Sequence, residues 1–113
     1  MVLLLSFLAA CTQAEEPVYF ADATLKAAIE EVLWAPDPTP TDMRTLTIFT
    51  AGAKGIESIV GMEHAVNLWY LNLRLNNIKD LSPLAGLTNL TNLVLHKNPI
   101  TDLSPLSGLT NLV

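Results

Sequence analysis

Two histidines, His64 and His96, are the residues best suited to proton transfer or to zinc binding. No third ligand accompanies either of them. The repeat pattern of the chain places His64 on a turn and His96 on a strand, so the two are expected on different surfaces. We therefore predict no catalytic or metal role for them, and we interpret His96 as an ordinary contact residue on a sheet.

Two aspartates, Asp80 and Asp102, occupy equivalent places in neighbouring repeats and would stack. Calcium between them would need six or more oxygen ligands, which no other residues supply, so plain turn capping is the favoured interpretation. The chain also has no glycine-rich phosphate loop, no Ser-His-Asp set and no paired-carboxylate cleft. The sequence thus predicts a protein that is not an enzyme and holds no metal or cofactor.

The single cysteine, Cys11, follows an uncharged run of ten residues, MVLLLSFLAA (1–10). This run is too short to span a membrane, which takes roughly 20 apolar residues, and is typical of a secretory signal. No basic residue precedes the leucines, so either the true start lies upstream or the signal is atypical. Leu8-Ala9-Ala10-Cys11 resembles the lipobox of bacterial lipoproteins. That resemblance implies lipidation of Cys11, a polar tether over residues 11–17 and a membrane anchor; an ordinary signal peptide with an incidental cysteine is the alternative.

An internal repeat of 22 residues predicts the fold. Residues 67–88 (NLWYLNLRLNNIKDLSPLAGLT) and 89–110 (NLTNLVLHKNPITDLSPLSGLT) are identical at 14 of 22 positions. Residues 45–66 are a degenerate copy that keeps only the apolar positions, as expected of an end repeat beside a cap. A further copy begins at residue 111 and is truncated, so we expect the repeats to continue past Val113.

Each copy begins with a strand and returns through a turn. Leu71 and Leu73 alternate with Tyr70, Asn72 and Arg74, which is the period of a half-buried strand. Stacked copies would pair as a parallel sheet. The Ser-Pro pairs at 82–83 and 104–105 predict short helical turns, with serine as N-cap and proline in the first helical position.

Asparagines at the end of the strands predict a structural ladder. Asn76 and Asn98 would stack and bond the backbone where each chain leaves its strand. Lys54 stands at this position in the degenerate copy, so the ladder should end there.

These units resemble the internalin-type leucine-rich repeat, LxxLxLxxNxIxDLxPLxxLxx, over about residues 45–113. The resemblance implies an α/β fold: a right-handed solenoid with a parallel concave sheet and short 3-10 or helical turns on the convex side. Members of that family bind protein partners on the concave sheet. The surface so implied here consists of Tyr70, Asn72, Arg74, Asn92, Val94 and His96. That these side chains are merely solvated is the alternative.

Residues 18–44 are predicted to form a helical N-terminal cap. Asp22 can cap a helix that ends near Trp34 and buries Leu25, Ala28, Ile29 and Val32. Residues 41–42 would start a second short helix. We expect Trp34 and Trp69 to pack at the junction of cap and repeats.

Charge is concentrated in the cap. Residues 12–44 hold seven acids and two bases, a net charge of −5, whereas residues 45–113 hold four of each. This balance argues against a nucleic-acid partner. The sequence therefore favours a recognition or adhesion module, secreted across the membrane and lipid-anchored to a bacterial cell envelope, that binds a protein or a glycan. The alternatives are a targeting arm of a larger envelope enzyme with its catalytic domain beyond residue 113, and a structural spacer without a ligand.

Overall fold

The computed structural model describes residues 15–113. The helices α1 (Ala23–Leu33) and α2 (Pro40–Met43) precede three strands, β1 (Ile48–Thr50), β2 (Tyr70–Asn72) and β3 (Asn92–Val94). A 3-10 turn follows each strand, at Met62–His64, Ser82–Leu84 and Ser104–Leu106. The strands form one parallel sheet in the order β1-β2-β3. The predicted leucine-rich-repeat fold with an N-terminal helix is confirmed.

The predicted signal peptide (residues 1–10), Cys11 and most of the tether over residues 11–17 lie outside the described residues. Within residues 15–113, no helix has the length and apolar character needed to cross a bilayer.

The repeats stack with equivalent residues side by side. Phe49, Leu71 and Leu93 are partners in register, so their side chains share one interior. Leu71 and Leu73 are fully buried, while Leu93 and Leu95 are partly buried and pack against the same core. Because one face of each strand is occupied in this way, alternate side chains face outward together.

The degenerate copy keeps a filled core because one inward side chain is larger and the next is smaller than in the later repeats. Phe49 stands where the later strand has Leu71, and Ala51 stands where it has Leu73; both are buried. A larger and a smaller side chain at adjacent inward positions keep the interior filled, as close packing requires. The first repeat therefore stacks on the second in spite of its divergent sequence.

Helix α1 covers the open edge of the first repeat. Its N-cap is Asp22, and it buries Leu25, Ala28 and Ile29. Val32 was expected on this face but is 46% exposed, because the last turn packs through Leu33 instead. The junction is tight where Phe20 lies against Gly61: a Cβ on Gly61 would come within 2.4 Å of the Phe20 ring.

Helix α2 begins one residue earlier than the sequence predicts. Thr39 and Asp42 form a reciprocal capping box, with Pro40 in the first turn. This box satisfies two backbone donors at the start of a helix of only four residues. Met43, at its end, is fully buried against the repeats.

In the two later 3-10 turns, an aspartate rather than the serine accepts the hydrogen bond at the start of the turn. Asp80 accepts hydrogen bonds from the backbone N–H and the hydroxyl of Ser82, and Asp102 accepts one from the Ser104 N–H. Ser82 and Ser104 are the first residues of their turns, not the N-caps. The predicted serine caps are therefore wrong, because the carboxylate two residues earlier already reaches the free N–H groups.

Candidate binding surface on the concave sheet

Three rows of outward side chains run across the parallel sheet, perpendicular to its strands. Pairing between the strands aligns the first two rows, and the backbone bonds from Ala53 to Arg74 and from Leu75 to His96 continue the alignment to the third. The entry row is Ile48, Tyr70 and Asn92; the middle row is Thr50, Asn72 and Val94; the exit row is Gly52, Arg74 and His96. All six residues predicted for this surface lie in these rows, and the sheet brings them together.

Sequence reasoning missed the three members of the first strand, Ile48, Thr50 and Gly52. The signal was present, since the apolar alignment of the degenerate copy places Phe49 and Ala51 inward. Alternation then assigns their neighbours to the concave side. The surface is thus three strands wide.

The first two positions of the entry row are apolar and aromatic. Ile48 is 50% exposed and lies beside the partly buried Tyr70. The rings of Trp69 and Tyr70 meet edge to face, with centroids 6.1 Å apart and planes at 74°. Trp69 was expected to be a packing residue but is 43% exposed, so the prediction is wrong and the indole extends the aromatic surface of this row.

Two asparagines add amide groups to the surface, Asn72 in the middle row and Asn92 in the entry row. The Oδ1 of Asn72 accepts a bond from the Arg74 N–H, and the Oδ1 of Asn92 accepts one from the Thr91 hydroxyl. Each side chain is thereby oriented. Among residues 15–113 neither Nδ2 group has an acceptor, so both amides offer donors to a ligand.

The exit row carries the charge of the surface. Arg74 and His96 are both exposed. A Cβ on Gly52 would lie 3.2 Å from the Cγ of Arg74 and 3.7 Å from its Nε, so the arginine side chain extends over the first strand. Glycine at position 52 is what leaves this space. None of the nine row residues is acidic.

Two asparagine ladders hold the strands behind this surface. On one side, Asn76 accepts from the Lys54 and Ile56 N–H groups and donates to the Ala51 and Leu73 carbonyls. Asn98 repeats the pattern one strand later, accepting from Ile78 and donating to the Leu73 and Leu95 carbonyls. Lys54, at the equivalent place of the degenerate copy, is exposed.

The second ladder was not anticipated. Asn67, Asn89 and Asn111 donate to the carbonyls of Arg44, Val66 and Thr88, each in the preceding unit. The asparagine at the first position of every copy from residue 67 onward could have revealed it. The repeats from residue 67 onward therefore bond the preceding unit through asparagines placed before and after the strand.

Asp22 joins the cap to the first repeat. One carboxylate oxygen caps α1 through the Thr24 and Leu25 N–H groups, and the other accepts from the Glu57 and Ser58 N–H groups. Burial alone would raise the pKa of Asp22, but these four donors outweigh it and hold the pKa below its ordinary value.

The remaining polar candidates lie apart from the concave rows. The Ser82 hydroxyl and N–H lower the pKa of Asp80, and those of Ser104 lower the pKa of Asp102, as capping requires. His64 lies in a 3-10 turn, with its Nε2 3.9 Å from Glu63. Within the described part of the chain, no three His, Cys, Asp or Glu side chains converge on a possible metal position.

Trp34 does not pack at the junction of cap and repeats. It ends α1 in the left-handed conformation, with φ 55°, and its side chain is 93% exposed. The prediction is wrong because the turn that terminates the helix takes the indole off the packing face.

Comparisons with known proteins agree with this architecture. The family described as "Leucine Rich repeats (2 copies)" matches residues 66–108. Among curated proteins no match to the chain is found. Among solved structures, an internalin (InlF) from Listeria monocytogenes is 41% identical with a TM-score of 0.79, and the match covers 82% of this chain and 28% of that one.

Two further structures extend the comparison. Internalin C2 from L. monocytogenes is 29% identical with a TM-score of 0.74, over 88% of this chain and 57% of that one. A structure of "CBM51-2 in complex with GlcNAc and INT domains" from Clostridium perfringens ZmpB is 35% identical with a TM-score of 0.66, over 72% of this chain and 18% of that one. The chain thus spans less than two thirds of the length of each of these structures.

The fold, the ladders and the outward rows define a leucine-rich-repeat solenoid. Within that class, the chain is an internalin-like leucine-rich-repeat protein.

Proposed function

We propose that the chain is a non-enzymatic recognition module that binds a protein through the three concave rows. The observation that carries this proposal is the outward display of eight side chains, including Tyr70 and Arg74, from a sheet whose inner face is filled by apolar side chains. Because the fold already fixes these side chains on a rigid support, little ordering entropy is lost on binding. Tyrosine and arginine are residue types enriched at binding hot spots.

The similarity to internalins supports a protein ligand over other classes. A glycan is the second ligand class, favoured by the similarity to the C. perfringens structure in which CBM51-2 is in complex with GlcNAc. The exposed Trp69 and the amides of Asn72 and Asn92 would also suit a sugar, since aromatic faces and planar polar groups both contact sugars well.

Binding is tested by presenting arrays of proteins and of glycans to the labelled chain and to two variants. Arg74→Ala should weaken capture of a true ligand by about tenfold. Lys79→Ala is the matched control, because Lys79 is an exposed cation of the same repeat that lies outside the concave rows. Equal losses in the two variants would exclude the concave rows as the site, and no capture on either array would favour a structural spacer.

We further propose that the protein is secreted and held on a bacterial cell envelope by lipid on Cys11. The support is the sequence Leu8-Ala9-Ala10-Cys11 at the end of an apolar run. In a bacterial host supplied with labelled fatty acid, the chain should take up label and fractionate with membranes, whereas Cys11→Ser should be unlabelled and soluble. Membrane fractionation of both forms without label would exclude the lipid anchor.

A targeting arm of a larger envelope enzyme is the second candidate. This chain matches only 28% of the InlF structure and 18% of the C. perfringens structure. In both proteins the matching repeats are therefore one part of a longer chain, which favours this candidate. A full reading frame that encodes a catalytic domain after residue 113 would support it, and further repeats followed by a cap would not.

A further inference from the structure

Most of the positive charge of the repeats lies at one edge of the concave sheet. Residues 45–113 contain four Lys and Arg residues, and three of them, Lys54, Arg74 and Lys97, lie where a strand leads into its turn. His96 stacks beside Arg74 in the exit row and directly precedes Lys97 in the sequence. We call these four residues the basic edge.

The basic edge has no counter-charge of its own. The ion pairs of residues 15–113 lie elsewhere: Lys26 with Glu30 and Asp37, Arg44 with Glu15, and His64 with Glu63. The acids that follow Arg74 and Lys97, Asp80 and Asp102, accept bonds within their own turns. Glu57 follows Lys54 by three residues but forms no ion pair with it. The cations of Lys54, Arg74 and Lys97 are therefore exposed and available.

The structure also places Arg74 over the first strand. Its side chain leaves its own strand and extends over Gly52, two residues before Lys54 in the sequence. Like charges brought to one place are unfavourable in isolation. An anionic ligand placed between them would relieve that repulsion, and the planar guanidinium can bind a carboxylate through two parallel hydrogen bonds.

We propose that the basic edge binds a carboxylate-rich segment of the partner protein. This inference rests on the proposed function and names the chemistry of the ligand. The occupant is an extended acidic peptide that carries an apolar residue, because the exposed Ile48 and Trp69 and the partly buried Tyr70 lie at the opposite side of the sheet, where the strands begin. The entry and exit rows are four residues apart, a spacing of about 13 Å that an extended peptide of about four residues spans.

The test uses two labelled peptides and the full chain. The first peptide holds one tryptophan and, about four residues away, three glutamates; in the second, glutamines replace the glutamates. Fluorescence anisotropy should show binding of the glutamate peptide that weakens as salt is raised from about 0.05 M to about 0.5 M, and about tenfold weaker binding of the glutamine peptide.

Variants locate the contact on the chain. Arg74→Gln should weaken binding of the glutamate peptide by about tenfold, and Lys54→Gln and Lys97→Gln by smaller factors. Lys79→Gln is the control and should bind as the parent does. A circular dichroism spectrum and melting curve for each variant keep a folding defect from being taken for lost affinity.

Four outcomes would overturn the inference. They are equal binding of the two peptides, an equal effect of Lys79→Gln, tighter binding of a carboxylated oligosaccharide such as oligogalacturonate, and displacement of the peptide by a second copy of the chain through its acidic cap. A protein ligand from the array that is weakened by Tyr70→Ala and by Arg74→Ala, but is unaffected by Lys54→Gln, by Lys97→Gln and by added salt, would refute the basic edge and leave the proposed function intact.

Discussion

Asp22 shows how much of the architecture can depend on one carboxylate. Its two oxygens receive four backbone N–H groups from two separate elements, the first turn of α1 and the loop at residues 57–58. A helix cap is worth roughly 0.5–2 kcal/mol by itself. The bonds from the Glu57 and Ser58 N–H groups also attach the cap to the first repeat.

Asp22→Asn should separate these two roles. Asparagine is a good N-cap and retains one oxygen for α1, but its Nδ2 cannot accept from Glu57 and Ser58. We expect a loss of about 1–3 kcal/mol in the free energy of unfolding, measured by urea denaturation at pH 7. The control is Glu31→Gln, at an exposed position of the same helix. A loss no greater than that of the control would contradict the joining role of Asp22.

The same variant carries a pH signature. The pKa of Asp22 is lowered in the folded protein, so its contribution is present above the unfolded value near 3.8 and is lost as pH falls through the folded value. The difference in unfolding free energy between the parent and Asp22→Asn should therefore be constant at neutral pH and shrink below about pH 4. A difference that grows on acidification would have the wrong sign.

Single side chains were also where sequence reasoning was least accurate. The inward leucines follow from the period of the repeat, but Trp34 and Trp69 were assigned to packing because large apolar residues are usually buried. The exposure of Trp34 depends on where α1 ends, since this residue has a φ of 55°. The exposure of Trp69 depends on how its ring packs against Tyr70, with the two ring planes at 74°. Composition and periodicity contain neither of these angles.

Among the elements, the buried asparagine ladder is the feature whose substitution is expected to lower stability most. Asn76 is only 5% exposed and satisfies backbone groups in both its own repeat and the one before it. Strands of three residues form few bonds of their own, so the turns that follow them need these side-chain partners.

Asn76→Ala should lower the free energy of unfolding by about 2–5 kcal/mol, because several buried backbone groups would lose their partners together. Asn98→Ala is the matched comparison and should cost less, since Asn98 is only partly buried and water can replace its amide. Urea denaturation of the two variants gives the measurement. If Asn98→Ala were the more damaging change, the account of burial would be wrong.

The elements themselves were predictable to different degrees. Identical Asp-Leu-Ser-Pro-Leu segments located two of the 3-10 turns, and alternation located β2 and β3. The start of α2 was missed because Thr39 and Asp42 cap each other, a reciprocal contact that depends on loop geometry. The concave rows of the first strand were missed because its sequence has diverged while its packing has not.

At the scale of the whole molecule, cap and repeats share a single interior. Buried residues from Val18 in the cap to Leu109 in the last repeat belong to one contiguous cluster. No second core exists among residues 15–113 on which the cap could be stable alone. The cap and the repeats are therefore expected to unfold together.

Leu25→Ala tests that cooperativity. Removing this fully buried side chain should cost about 2–5 kcal/mol, and amide hydrogen exchange should accelerate alike in α1 and in β2. Val32→Ala, at an exposed position of the same helix, should change the unfolding free energy by less than about 0.5 kcal/mol. Faster exchange confined to α1 would mean that the cap opens independently.

The two ladders also constrain which chain lengths this architecture tolerates. Each unit's loops are closed by amides from the unit after it, through Asn76 and Asn98 on one flank and Asn67, Asn89 and Asn111 on the other. Excising residues 67–88 would leave Asn89 to bond the cap in place of Asn67, and Asn98 to bond the first repeat in place of Asn76. An excision whose length is not a multiple of 22 residues would leave those carbonyls and N–H groups without partners. Insertions and deletions in this region are thus tolerated only as whole repeats of 22 residues. The width of the recognition surface can therefore change one strand at a time.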